Sequence, residues 1–469
     1  MPKNVKNKKY KMYGNVLLLG MSGIIAKLFD FGFRAFYAGV LGTEGMGLLS
    51  LGFSMHGVML TIATAGLGVA VSRCTSVYIE RENPAAVKKC MKMAVFGVSV
   101  LALTVILITF LFSDKIAERL LGDGRISFSL CALMPSVLFM GISYCTKGCF
   151  YAERRVLPPA SSEILEQTVK FVSIRVLLKI FLPFGTEYGC AAVFGGITIG
   201  ELSSCVYLLF LYRREERLNF RIKAQDSDEP CRGEMLTKLL GVSLPSMITS
   251  LCCSALRMQE EVLIISALER GNMSHSEAVS TLGIMCGMVM PLLVLPLNLA
   301  GSVMSLLVPE ISRAEVRGGG SLRRTVKKVY GLGLTVGIIV GLFFMIFGGG
   351  ASRAFYKTAA AAELVVCLAP LCPVMFMDSL SCSILNGLGK QLRLLLFSLL
   401  DFSLRLSVIY FAMPQYKTGA FSAMTAASNV FTCMLSLGSV LWLVYGESYI
   451  FKLKLTKSAK CAILKHRER

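Results

Sequence analysis

Histidine is scarce in this sequence, with only His56, His275 and His466 among 469 residues. The three form no cluster, so no histidine metal centre is expected, and His56, inside an apolar run, reads as a satisfied packing residue. Long polar stretches are missing too. The most polar one, "RREERLNFRIKAQDSDEPCRGEMLTK" from Arg213, is far too short for a soluble domain. Catalytic motifs are absent: there is no HExxH, no nucleophile elbow and no Gly-rich phosphate loop closed by Lys-Ser/Thr. "GLGK", ending at Lys390, lacks both the Ser/Thr and a preceding strand, and "RGGGS" from Arg317 reads as a turn. Neither an enzymatic activity nor a nucleotide or metal cofactor is expected on these grounds. Cysteine is not scarce, at 16 residues. Most, including Cys252, Cys253, Cys367 and Cys433, lie in apolar runs, where a thiol behaves as a small hydrophobe. No pair has metal-ligand spacing, and no outer loop holds two to join.

What the chain does have is grease. It is 54% hydrophobic, with a mean hydropathy of +0.65. Apolar runs recur from end to end, long enough to cross roughly 30 Å of hydrocarbon at about 1.5 Å per residue. Twelve spans are predicted, near 14–40, 46–72, 92–113, 126–149, 162–182, 189–212, 237–268, 282–308, 329–349, 362–385, 393–412 and 418–445. The fold class is an all-α polytopic membrane protein. The opening "MPKNVKNKKYK" resembles a signal peptide, but charges interrupt its apolar run, so the first helix is read as retained.

The net charge of +20 follows from topology and needs no nucleic acid. With the N-terminus inside, only seven of the 49 Lys and Arg, among them Arg125, Arg270 and Arg353, fall in outer loops. Basic residues resist translocation, so both termini are expected in the cytoplasm. The basic tail "KLKLTKSAKCAILKHRER" is expected to lie on anionic membrane lipid.

Sliding the second half onto the first by 235 positions brings matches into register. Gly52 meets Gly287, Ala65-Gly66 meets Ala300-Gly301, and Lys88-Lys89 meets Arg323-Arg324. Glu166 meets Asp401, and Lys170 meets Arg405. Charged matches inside membrane helices are much harder to obtain by chance than glycine matches. They predict two parallel six-helix lobes, 1–212 and 237–445, with a cytoplasmic linker at 213–236 and a basic tail at 446–469. Parallel repeats place a substrate site between lobes near the midplane. Gly196/Gly200 and Gly333/Gly337/Gly341 repeat at small-residue packing intervals. Pro291 and Pro296 are candidate hinges, with static kinks as the alternative.

Charges inside the spans carry the functional reading. Lys27, Asp30 and Arg34 share one face of the first helix. A charge facing lipid at the bilayer centre costs at least about 2.5–3.5 kcal/mol, so that face must meet protein or a watery cavity. The fifth span carries Glu163, Glu166 and Lys170 on a shared face, then Arg175 and Lys179. The seventh has Arg257, Glu260 and Glu261; the sixth Glu201; the tenth Asp378; the eleventh Asp401 and Arg405. Lys27, Arg34 and Arg257 lie on the first helix of each lobe, and cations lining a cavity there imply an anionic headgroup, for which a guanidinium is a forked donor. Lys170 and Arg405 are further headgroup candidates. Glu166–Lys170 and Asp401–Arg405 are equally readable as ion pairs stitching helices together. Asp30 and Glu261 are expected to hold the arginines when the cavity is empty. With Glu166, Glu260 and Asp401 they are alternatively coupling groups for a proton or sodium ion.

Four stretches then resemble a known family. They are "LGTEGMGLLSLGFSM" from Leu41, "GLGVAVSRCTSVYIERENPAAVKKCMKMA" from Gly66, "TKGCFYAERRVLPPASSEILEQTVKF" from Thr146 and "LNGLGKQ" from Leu385. The pattern resembles the multidrug/oligosaccharidyl-lipid/polysaccharide (MOP) exporter superfamily, in its polysaccharide flippase and stage V sporulation protein B-like branch, related to the lipid II flippases. The resemblance implies a monomer moving an undecaprenyl-pyrophosphate-linked sugar across the bacterial cytoplasmic membrane by alternating access. It implies that Lys27, Arg34 and Arg257 engage the pyrophosphate. A drug or organic-cation antiporter of the MATE type, driven by H+ or Na+, is the alternative, with Asp30 or Glu261 as its carboxylate. A membrane-embedded transferase or polymerase would need a catalytic outer loop, and the loops near 113–125, 269–281 and 350–361 are short and lack one.

Overall fold

The computed structural model describes residues 3–80, 83–153, 155–219, 232–304, 319–388 and 390–446. The basic tail and most of the linker lie outside the described residues. No strand occurs among those described. The first lobe comprises α1 (Lys3–Thr64), α2 (Leu67–Glu80), α3 (Pro84–Lys115), α4 (Ser127–Leu133), α5 (Pro135–Ala152), α6 (Leu157–Phe181) and α7 (Thr186–Asn219). The second comprises α8 (Arg232–Arg270), α9 (His275–Leu282), α10 (Met290–Met304), α11 (Gly319–Tyr356), α12 (Ala359–Leu368), α13 (Cys372–Gly387), α14 (Gln391–Phe411) and α15 (Met413–Leu441).

Helix breaks follow residue chemistry. Two predicted spans run together in α1 and turn at Gly42, whose φ of 71° is open to glycine without a Cβ clash. The fourth span divides at Pro135 and the tenth at the short turn Ala369–Leu371, which contains Pro370. The eighth contains a π-helical stretch, Gly283–Val289, in which Met290 N–H reaches back to the Met285 carbonyl. Pro291 follows it with no N–H to donate, so the wide turn falls where the regular ladder must break anyway. Nine helices among the described residues are long and apolar enough to cross a membrane. Twelve spans are consistent with that figure: α1 counts once for two, α6 is long enough but heavily charged, and α8 is long enough and holds the charge-free run 239–256.

The 235-residue repeat is visible in the elements. Shifting α5 by 235 ends it at Gly387, the last residue of α13. α3 and α11 present Leu103, Leu107, Leu111 and Leu332, Ile339, Ile346 outward, a lipid-facing belt. Glycines bring helices close where the spacing predicts: a Cβ on Gly196 would stand 2.9 Å from the Ile174 nitrogen, and one on Gly337 2.7 Å from Pro373 Cα. His56 is buried and shares a 2.9 Å hydrogen bond with Ser136, a packing role as read from sequence.

The lobes meet where the second half of α1 crosses α9 and the π-helical stretch. Gly47 and Gly283 stand back to back there: a Cβ on either would collide with backbone of the other segment. This contact lies at the end of the bundle away from the termini, the distal end.

Candidate functional site

A cavity of about 750 Å³ lies between the first half of α1 and the inner wall of the second lobe. Lys27, Asp30 and Arg34 line it from α1, Arg257, Glu260 and Glu261 from α8, Asp378 from α13, and Asp401 and Arg405 from α14. Helical spacing explains the convergence: each set sits on one face, and that face turns away from lipid. Leu394 and Ser436 also line it, so the cavity extends toward the ends of α14 and α15 nearest the termini. A side cavity of about 280 Å³ shares Arg34, Arg257 and Glu261 and is lined by Ser50, Ser54 and Ser254.

The charges are mostly paired. Arg34 Nε donates to Asp30 at 3.2 Å, and its guanidinium stands 5.2 Å from the Phe53 ring centre. Arg405 bridges two helices, donating to Asp401 at 2.8 Å and to Glu260 of α8 at 2.8 Å. Ser428 donates to Asp401 at 2.5 Å, and Ser436 to Asp378 at 2.7 Å. Glu261 departs from expectation. It accepts from Ser54 Oγ of the first lobe at 2.7 Å instead of pairing with Arg257. Among the described residues, Lys27 and Arg257 have no ion-pair partner. They are the two cations that an incoming anion could meet without breaking a pair.

Not every sequence candidate reaches this cavity. Lys170 and Glu166 form a buried 3.0 Å pair inside the first lobe, under α7, and do not line it. Glu201 is buried on α7, one residue beyond Gly200, where a Cβ would stand 2.9 Å from Lys170 Cβ. Lys147 and Glu163 pair nearby at 3.4 Å. Pro291 lines the cavity and Pro296 does not, although both lie in α10.

A second polar cluster, which the sequence reading did not assemble, joins the lobes at the distal end. Arg125 donates to Glu44 at 2.6 Å and to Asp123 at 2.8 Å; Ser276 donates to the same Glu44 oxygen at 2.7 Å. The His275 ring lies between Asp123 (3.1 Å) and Glu269 (2.6 Å). The cluster lies at the distal ends of the spans, with Asp123 in the loop between two of them and His275 the first residue of α9. Burial pushes the Asp123 carboxyl up, but Arg125 and His275 overcome it and hold the group below the usual carboxylate range. The only sequence signal was the acid-base content of the two short loops at 113–125 and 269–281.

Two lobes of six spans surround a charged central cavity. Residues 13–315, well over half the chain, match the family described as "Polysaccharide biosynthesis protein". The chain belongs to that family. It is similar to stage V sporulation protein B of Bacillus subtilis (strain 168), at 25% identity over 87% of this chain and 79% of that protein. It is similar to the lipid II flippase MurJ of the same organism at 20% identity, over 81% of this chain and 73% of that one. In fold it is similar to an inward-facing MATE-family multidrug transporter of the MOP superfamily, with a TM-score of 0.71 at 14% identity, covering 94% of this chain and 99% of that chain. This member of the polysaccharide biosynthesis family is therefore a multi-pass helical membrane protein with a MATE-like fold.

Proposed function

We propose that the protein flips a polyprenyl-pyrophosphate-linked glycan across the bacterial cytoplasmic membrane, with both termini in the cytoplasm and the lobes alternating access. The observation that carries this reading is the pair of cations Lys27 and Arg257, which form no ion pair among the described residues, in a cavity of about 750 Å³ between the lobes. Such a volume suits a headgroup and falls in the usual range of ligand sites, while the lipid tail stays in the bilayer. Arg34 and Arg405, held in register by Asp30, Glu260 and Asp401, add donors that an anion can recruit by exchanging partners. The family membership and the similarity to a lipid II flippase support the same substrate class. The transporter acts as a monomer. Its driving force is a gradient, and a proton or sodium ion on the cavity carboxylates is the coupling species.

One observation favours a second reading, the organic-cation antiporter: the cavity holds five carboxylates beside its four cations. Proteoliposomes loaded with a fluorescent polyprenyl-pyrophosphate sugar separate the two. The flippase reading expects protein-dependent exposure of the sugar on the opposite leaflet, unaffected by a tenfold excess of tetraphenylphosphonium. Uptake of the organic cation with no movement of the lipid would replace it with the antiporter.

A further inference from the structure

We infer that the distal cluster is a proton-dependent latch between the lobes, in which a doubly protonated His275 ties Glu269 of the second lobe to Asp123 of the first. The reason lies in donor counting. Both ring nitrogens face carboxylate oxygens, Nε2 at 3.1 Å from Asp123 and Nδ1 at 2.6 Å from Glu269. A carboxylate only accepts, and a neutral imidazole has one N–H, so one of its two contacts would set lone pair against lone pair. The imidazolium alone donates to both. Loss of one proton therefore converts one bridge from attraction to repulsion.

The groups around the ring leave that proton in control. α1 contributes Glu44, which accepts from Ser276 beside His275 and from Arg125. The loop before α4 contributes Asp123 and Arg125, the latter committed to Asp123 and Glu44. α8 contributes Glu269 and Arg270, and Arg270 is turned onto the Tyr410 ring, 4.8 Å away. On its own helix Glu277 closes a capping box with Ser274, and Lys417 of α15 faces that glutamate. Burial pulls the His275 ring down, but Glu269 and Asp123 outweigh it and raise it above the ordinary value. The sign follows: the bridging charge is fully present below the ordinary histidine range of about pH 6.5 and is lost as pH rises through the raised value.

The latch sits where it can bias the lobes. It caps the crossing of Gly47 and Gly283, a close backbone approach between them, at the end away from the cavity lining around Leu394 and Ser436. Acid closes the distal end, and alkali releases it. The inference concerns the motion of the lobes and stands whatever the cargo.

Spin labels at Arg119 and Gln415, exposed distal positions of the two lobes outside the latch, report the separation by electron-electron resonance in nanodiscs. The wild type should shift its ratio of short to long distances at least about fivefold between pH 5.5 and 8.5. His275→Gln should stay at the long distance at both values. His275→Arg, which keeps its charge, should stay at the short one. Glu269→Gln should move the transition to lower pH, and thermal melting confirms that each variant is folded. A wild type without pH response, or a His275→Gln variant that keeps the wild-type response, overturns the latch.

Discussion

Glu166–Lys170 and Asp401–Arg405 occupy the same place in the two halves of the repeat and make the same i, i+4 pair, at 3.0 and 2.8 Å. Their surroundings differ. In the first lobe α6 and α7 close tightly, because Gly196 and Gly200 offer no side chain, and the pair is sealed inside. In the second lobe Phe431 and Leu435 stand at the matching positions, α14 and α15 pack less intimately, and Arg405 reaches across to Glu260 at the cavity wall. The two halves of the repeat thus share the charges, while two glycine positions set which pair is sealed inside and which faces the cavity.

Variants break this comparison in order of size. Lys170→Ala should be the most damaging, because it leaves the buried Glu166 carboxylate uncompensated beside Glu201. Losing one partner of a buried pair costs roughly 3–5 kcal/mol, which thermal melting would record as a large drop in Tm. Gly200→Leu, which installs the second lobe's residue in the first, should cost about 1–3 kcal/mol by overpacking against Lys170. A Gly200→Leu protein as stable as the wild type would refute the glycine explanation. Arg405→Ala should cost less than Lys170→Ala, since its partners are partly exposed to the cavity and water can solvate them. Lys27→Ala/Arg257→Ala should be nearly neutral for stability, within about 0.5 kcal/mol, because neither side chain has an ion-pair partner to lose among the described residues.

Much of this was readable before any coordinates. The apolar runs and the 235-residue register gave the spans and the two lobes, because lipid forces every span to be a long apolar helix and duplication copies its breaks. The sharing of one face by Lys27, Asp30 and Arg34 correctly demanded a non-lipid neighbour. Partner choice across helices was not readable. Glu261 meets Ser54, 207 positions away, and Arg405 meets Glu260, 145 away; both depend on how two lobes dock, which no local pattern encodes. Lys170 shows the same limit from the other side, since a charged face alone does not say whether it opens onto a cavity or onto α7. The distal cluster was invisible for a related reason. Its members come from the middle of α1, the segment before α4 and the corner between α8 and α9, and His275 without Asp123 and Glu269 is an ordinary surface histidine.

The most direct test of the account is binding of a short polyprenyl-pyrophosphate sugar to three purified proteins: the wild type, Lys27→Ala/Arg257→Ala and Lys170→Met. The account predicts that the folded double variant loses affinity by about 100-fold, roughly 2.7 kcal/mol, while whatever fraction of Lys170→Met remains folded binds as the wild type does. Equal binding by wild type and double variant, or loss of binding confined to Lys170→Met, would contradict it and remove the cavity cations from the headgroup site.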